Sequence, residues 1–379
     1  MTRFIHSILV ILLLSPISGI MAQSAIDTAI RRIMKEHEVV GLSVAVVKKN
    51  DIVFSSAYGY NNLQTQTPLS TENLFRIASI SKSFSATSIM QLVEQKKMGL
   101  DQDVSELIGF PVRHPKFPST VITVRMLLSH TSSINDSQGY FSLDAIDPSK
   151  NTNWEKCYNT YEPGKGWQYC NLNFNMIGTI IERVSGERFD LYVRRHVLEP
   201  LGLYGGYAVD SLDRSKLANI YEFNTDSSKY IVSSGAYNPR SAEIAAYTMG
   251  YSTPVFSPTG GMKISAPDLA RYMIMHKNRG KYKGVRILSK KSAMLMQTPV
   301  STYEPYGLAL EQTDKLIPGK LLTGHTGVAY GLFSAMFFDP KENYGIVVIT
   351  NGTRAKHVGD YNNTIRHVVN ALYQHVVLK

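Results

Sequence analysis

Three features of the sequence predict an α/β (α+β) sandwich: one antiparallel sheet drawn from both ends of the chain, flanking helices and an inserted all-α subdomain. Runs rich in β-formers lie near the two ends, helical periodicity fills the middle, and no Pro-, Ser- and Gly-rich stretch separates independent units. The 379 residues are 44% hydrophobic and 18% charged, a balance that excludes a disordered or fibrous chain and permits a large core.

Residues 41–47 and 52–58 read as strands joined by the polar turn Lys48-Lys49-Asn50-Asp51, a hairpin. Over 79–99 the period changes, with Phe84, Ile89, Leu92 and Val93 at helical spacing and Gly99 as the stop. Shorter helices are expected over 123–130, over 172–184 ahead of Gly186, and over 189–198 ahead of Pro200, in a region with little strand signal. Ser265 followed by Asp268 signals a capped helix through Met275. Residues 332–338 and 345–350 form a second hairpin around Asp339-Pro340-Lys341-Glu342, and a last helix carries Ile365, Val368, Val369, Leu372 and Val376 on one face. The expected organisation is a single domain over 23–379, its α/β part at about 23–100 and 250–379 and its helical subdomain at about 101–249.

Residues 1–22 open with Arg3, run through an apolar core at 8–14, meet Pro16 and end in small residues before Ala22 and Gln23. This reads as a secretory signal peptide cut near Ala22, because the apolar run falls short of the ~20 residues that span a bilayer. The mature chain is expected to be periplasmic or secreted, without stable membrane insertion. In such a compartment Cys157 and Cys170 could close a short disulfide loop, and two buried free thiols are the alternative. No CxxC or HxxxH spacing accompanies them, so no metal site is expected. Lys plus Arg, at 40, exceed Asp plus Glu, at 30, so anionic substrates would not be repelled. The basic stretch Lys277, Arg279, Lys281, Lys283, Arg286, Lys290 and Lys291 reads as a solvated face or as a contact for anionic wall polymers. No nucleic-acid recognition motif is present, and nothing in the sequence speaks to oligomeric state.

Ser79-Ile80-Ser81-Lys82 is the one Ser-x-x-Lys in the chain. One helical turn brings the two side chains onto the same face. A serine hydroxyl attacks only when something takes its proton, and a lysine held in an apolar site can have its pKa lowered enough to do so. Taken alone the motif more often describes a helix-capping serine. Tyr-x-Asn occurs at Tyr60, Tyr169 and Tyr361, and only Tyr169-Cys170-Asn171 stands just ahead of an apolar helix after a glycine-rich loop. His325-Thr326-Gly327 precedes the C-terminal hairpin, where a glycine would let a ligand backbone approach the strand.

In that order the three motifs resemble those of the penicillin-recognising serine hydrolases. The stretches Phe75-Arg76-Ile77-Ala78-Ser79-Ile80-Ser81-Lys82-Ser83-Phe84, Leu127-Leu128-Ser129-His130-Thr131-Ser132, Gly260-Gly261-Met262 and Asp268-Leu269-Ala270 look like the branch holding class C β-lactamases, D-alanyl-D-alanine carboxypeptidases, D-aminopeptidases and esterases. The resemblance covers nearly the whole chain after residue 22. It implies Ser79 as the acylated nucleophile, Lys82 as the group that orients and deprotonates it, and Tyr169 as the base and acid that carries the proton to the leaving group. Asn171 would hold Lys82 and the substrate's acyl-side amide. His325 and Thr326 would line the opposite wall with Gly327, and the N–H groups of Ser79 and Val328 would form the oxyanion hole. The implied activity is acyl-enzyme hydrolysis of amide or ester bonds, on D-amino-acid peptides of carboxypeptidase or aminopeptidase type, peptidoglycan-derived ones included, with no cofactor or metal. A β-lactamase, a broad esterase and a non-catalytic penicillin-binding sensor remain as alternatives. Two departures stand out: His325 replaces the Lys typical of class C β-lactamases, and Cys170 fills a position where a small residue such as Ser is usual. If Cys170 were bridged to Cys157, the disulfide would clamp the loop that carries Tyr169.

Overall fold

The two ends of the chain meet in one seven-stranded antiparallel sheet. This computed structural model describes residues 17–354, 357–358 and 361–379. The strands are β1 (Gly41–Lys48), β2 (Asp51–Asn62), β3 (Thr67–Pro68), β4 (Glu311–Thr313), β5 (Leu322–Ala329), β6 (Leu332–Asp339) and β7 (Tyr344–Gly352). Their spatial order is β4-β5-β6-β7-β1-β2-β3, so both expected hairpins form and are joined through β1 and β7, with Val44 opposite Val348.

Alternation decides which layer each strand residue feeds. Leu42, Val44 and Val46 of β1, Phe333, Ala335 and Phe337 of β6, and Ile346 and Val348 of β7 pack on the terminal helices α1 (Ile17–Glu36) and α5 (Asn363–Leu372). Those helices answer with Ile26, Ile30 and Ile33, and with Ile365, Val368, Val369 and Leu372. Ala45 and Val47, Met336 and Phe338, and Val347 and Ile349 face the other way, into the larger core shared with α2 (Ser81–Glu94), α3 (Asn171–Ser185) and α4 (Ala266–Lys277). Burial on both faces explains why the central strands read as continuous apolar runs rather than alternating ones.

Several elements differ from the sequence expectation. Helix α2 stops at Glu94, not at Gly99, because Lys96 adopts a left-handed φ of 59°. The N–H of Lys97 then reaches the carbonyl of Leu92 and that of Lys96 the carbonyl of Val93, a Schellman ending without glycine. Pro200 does not terminate its helix but lies inside a 3-10 turn, Glu199–Leu201, that Gly202 closes. The middle of the chain also carries a short hairpin, Tyr221–Asn224 with Lys229–Val232, which its polar sequence concealed. Gly186 caps α3 and the Ser265 side chain caps α4, both as the sequence indicated, although α4 continues to Lys277.

Helix α2 is buried on nearly every side, and its polar residues all find partners. Ser83 donates to the Ile80 carbonyl, Ser85 to that of Pro258 and Ser88 to that of Phe84, while Thr87 pairs with the Tyr272 hydroxyl. The nucleophile candidate therefore enters a helix anchored from all sides. Most of the signal-peptide reading lies in residues 1–16, outside the described residues. No helix among the described residues is long and apolar enough to cross a membrane.

Candidate active site

Ser79 stands on a 3-10 turn, Ala78–Ile80, immediately before α2. Upstream, Phe75–Arg76 pairs with Lys263–Ile264, and the Ile77 N–H reaches the Met262 carbonyl. Ala78 bends the chain from this short strand into the turn with a φ of 47°, a left-handed conformation that costs a non-glycine residue energy and that the surrounding packing enforces. Gly327 of β5 lies against this bend. A Cβ there would meet the Ile77 carbonyl at 2.2 Å and the Ser334 hydroxyl at 2.5 Å. The close approach expected at Gly327 is made by the chain's own turn at Ile77 and Ala78. Past Gly324, β5 has no outer strand beside it, since β4 pairs only with Leu322 to Gly324, and Thr326 and Val328 line the cavity.

Lys82 is fully buried, and its Nζ has three partners: Ser79 Oγ at 3.1 Å, Asn171 Oδ1 at 2.9 Å and the Thr259 carbonyl at 3.0 Å. The last two can only accept. Only the Ser79 hydroxyl can reverse its role, so a neutral amine can keep donating to Asn171 and Thr259 while taking a hydrogen bond from Ser79. Burial brings the Lys82 pKa down to about 7, against a smaller opposing pull from the Asp136 carboxylate. Near neutrality a large fraction of the amine is therefore unprotonated.

Asn171 is held from both sides. Its Oδ1 also accepts from Thr259 Oγ1 at 2.8 Å, and its Nδ2 donates to Asp136 Oδ2 at 3.0 Å. Asp136 further accepts the backbone N–H groups of Asn171 and Leu172 at 2.9 Å, and so caps α3. Neither Asp136 nor Thr259 was singled out from the sequence. Thr259 directly precedes the quoted Gly260-Gly261-Met262, which was the available signal, whereas Asp136 had none.

The Tyr169 ring lies 4.6 Å from Lys82 Nζ and 4.4 Å from the His130 ring. Burial pushes the Tyr169 phenol well above its usual range, partly offset by the nearby Ser79 hydroxyl, although no partner of full hydrogen-bond geometry meets the phenol among the described residues. His130 takes a left-handed φ of 62° and accepts the Cys170 N–H on Nδ1, so its proton sits on Nε2. His325 is arranged the other way. Its Nδ1 donates to the Thr326 carbonyl at 2.5 Å and its Nε2 accepts from the Tyr306 hydroxyl at 2.9 Å. Burial, helped by Lys82, takes its pKa down to about 3, so His325 is an uncharged wall of the site.

Of the three Tyr-x-Asn segments, only Tyr169 reaches Lys82. Tyr60 lies on β2, away from the cleft, and the Tyr361 hydroxyl donates to Glu311 at the cavity rim. The disulfide weighed between Cys157 and Cys170 is not formed. Both are buried free thiols with separate acceptors, Cys157 donating to the Ala145 carbonyl and Cys170 to Asp136, each at 3.2 Å. The loop carrying Tyr169 is held instead by His130, which accepts from Cys170 and whose carbonyl receives the Gln168 N–H. Ser79, Tyr169, Asn171, His325, Thr326 and Val328 line one cavity of about 1060 Å³, with Lys82 and His130 buried behind them and the half-buried Asp136 bound to Asn171.

A sheet built from both chain ends, with a Ser–Lys pair at the head of a buried helix and a Tyr and a His-Thr-Gly strand beside it, is a β-lactamase/transpeptidase-like architecture. The chain belongs to the Beta-lactamase family, whose model matches residues 26–371. It is 30% identical over 337 residues to penicillin-binding protein 4 of Amycolatopsis lactamdurans, covering 84% of this chain and 82% of that one. Among solved structures, EstCE1, a hydrolase with promiscuous acyltransferase activity, is 22% identical with a TM-score of 0.74, over 94% of this chain and 100% of that one. The D-amino acid amidase of Ochrobactrum anthropi SV3 is 20% identical with a TM-score of 0.71, over 94% and 98%. Likeness at that level is likeness of fold. Other curated relatives are longer, and the chain spans 63% of their length.

Proposed function

We propose that the protein is an exported serine hydrolase that works through an acyl-enzyme on Ser79, acting on D-amino-acid peptides or on amides and esters of similar shape. The observation that carries this reading is the buried Lys82 amine, whose partners are two obligate acceptors and the Ser79 hydroxyl. Neutral Lys82 takes the hydroxyl proton as Ser79 Oγ attacks the substrate carbonyl carbon. The oxyanion is met by the N–H groups of Ser79 and Val328. Tyr169, a phenol in the resting site, gives its proton to the leaving nitrogen or oxygen and is reprotonated from Lys82. Water then attacks the ester carbon, Ser79 regains its proton, and the acid is released.

The protonation state of Lys82 gives this reading a pH signature. Activity requires the free amine, so kcat/KM should rise with pH and level off above an inflection near pH 7, and be lost as pH falls through it. His130 and His325 are both pushed down by burial and should add no separate limb near pH 6.5. A profile of p-nitrophenyl ester hydrolysis that is flat between pH 5.5 and 8.5 would remove Lys82 as the base.

β-Lactams test the substrate class. With His325 uncharged, the strand position that carries Lys in class C β-lactamases supplies no cation, and the Thr326 hydroxyl remains beside it. Acylation should still occur, slowly. The amine freed from a β-lactam ring stays tethered to the acyl group and obstructs the approach of water, so the adduct should persist. Incubation with benzylpenicillin is expected to accumulate a covalent adduct by intact mass, alongside slow nitrocefin turnover. Nitrocefin hydrolysis at ~10 s⁻¹ or faster, with no adduct, would favour the β-lactamase reading instead.

Export rests on Arg3, the apolar stretch 8–14 and the small residues ending at Ala22. Protein recovered from the periplasm or medium of an expressing bacterium should begin at Gln23, and a chain that retains residue 1 would contradict it.

A further inference from the structure

Arg76, three residues ahead of the nucleophile, is a cation without a counter-charge. Among the described residues it forms no ion pair with a carboxylate. Its Nε is buried without a hydrogen-bond partner, and its Nη2 makes one long hydrogen bond, 3.3 Å, to Ser257 Oγ. The guanidinium lies 5.2 Å from the centre of the Tyr330 ring. The groups facing it are the hydroxyls of Tyr330, Tyr237 and Tyr140 and a second cation, Arg240. Arg240 has a carboxylate of its own, Glu243 at 2.8 Å, and Lys263, opposite Arg76 on the paired strand, spends its amine on the Tyr207 carbonyl. Of the three cations only Arg240 has a carboxylate partner; Lys263 meets a neutral carbonyl, and Arg76 has neither and keeps a buried Nε with no acceptor.

Its position gives that surplus a use. Arg76 lines the same cavity as Ser79, and also a smaller adjoining one of about 380 Å³ that Arg240 and Lys263 border. His325, in ring contact with both Tyr169 and Tyr306, forms with them the wall on the leaving-group side, while Arg76 belongs to a separate set of contacts with Tyr330 and Ser257. The lining of the cavity mixes both signs, with Glu304, Glu311, Asp314 and Lys315 near β4 and Glu222 together with Arg76 elsewhere, so Arg76 is singled out by its orphaned Nε and not by the charge of the cleft as a whole. A desolvated guanidinium with spare donors is matched by a carboxylate, whose oxygens accept charge-assisted hydrogen bonds that neutral groups make less well.

We infer that Arg76, with Ser257 and Tyr330, forms an acyl-side subsite for substrates whose acyl group ends in a carboxylate. This inference rests on the acyl-enzyme reading of Ser79. The test compares mono-p-nitrophenyl glutarate with p-nitrophenyl valerate, which have acyl chains of equal length, one ending in a carboxylate and the other in a methyl group. The wild-type protein should favour the glutarate at least 10-fold in kcat/KM, chiefly through KM, and the preference should shrink with added salt. Arg76→Gln should bring the ratio to about one, and Arg76→Lys should retain part of it. The wild-type ratio needs no variant, so a ratio of one or below overturns the inference even if Arg76→Gln fails to fold, as does an unchanged ratio in a folded Arg76→Gln. Hydrolysis of neither ester would bring down the acyl-enzyme reading as well, whereas equal hydrolysis of both would bring down this inference alone.

Discussion

Ser79→Ala is expected to abolish turnover, by about 10⁴-fold or more, while leaving the protein folded. In the proposed mechanism the hydroxyl supplies the attacking atom, and no other hydroxyl among the described residues hydrogen-bonds to the Lys82 amine. Structurally it contributes little. It is one of three partners of Lys82, and losing a hydrogen bond of this kind costs about 1 kcal/mol, a shift of a few degrees in Tm at most. Activity assays beside a thermal melt check both halves. Near wild-type turnover in a folded Ser79→Ala would mean that the nucleophile lies elsewhere.

The second large effect is expected at the two groups to which the proposed mechanism gives the proton transfers. Lys82→Ala and Tyr169→Phe should each lower the acylation rate by ~10²–10⁴, the usual range for general acid–base groups. Lys82 is fully buried and reaches into a polar cluster, so Lys82→Ala also leaves a void. Lys82→Met fills that space without a basic atom and separates loss of the base from loss of packing. Tyr169→Phe removes only a hydroxyl that has no good partner in the resting site, so its rate loss should come with no loss of stability. Tyr60→Phe, on the far strand β2, serves as the control. A loss there comparable to that of Tyr169→Phe would undo the choice among the three Tyr-x-Asn segments.

Which parts of this site could be read from the sequence follows from what each residue contributes. Ser79, Lys82, Tyr169, Asn171 and His325 act through chemical type, and type is written in the sequence, so their motifs were legible although Ser79 and His325 lie far apart in the chain. Asp136, Thr259 and Tyr306 act through where the fold puts them. Each is an ordinary loop residue until α3, the turn before Gly260 and the loop ahead of β4 are brought around Lys82. The disulfide failed as an expectation for a related reason. A short spacing says that two cysteines can meet, but not where each Cβ points, and here each thiol already has an oxygen to donate to.

The fold divides along the same line. The two hairpins were legible because apolar runs are bounded by polar turns, and one sheet for both was the expectation; that β1 and β7 are the strands that join them came from the structure. The end of α2 was not, because Lys96 takes a left-handed conformation usually left to glycine. Nor was the encirclement of α2. The apolar spacing of Phe84, Ile89, Leu92 and Val93 marks one buried face, whereas Ser83, Ser85, Thr87 and Ser88 are buried as well, each with a specific oxygen as partner.

The central claim is that Ser79 is an activated nucleophile whose base is Lys82. A fluorophosphonate probe, which forms a covalent bond only to an activated serine, tests it when labelling is followed by intact mass and peptide mapping across pH. One adduct on Ser79 is expected, absent from Ser79→Ala, with a labelling rate that falls as pH drops through about 7 and loses that dependence in Lys82→Met. Labelling of another residue, or no labelling of folded protein at any pH, would contradict the account.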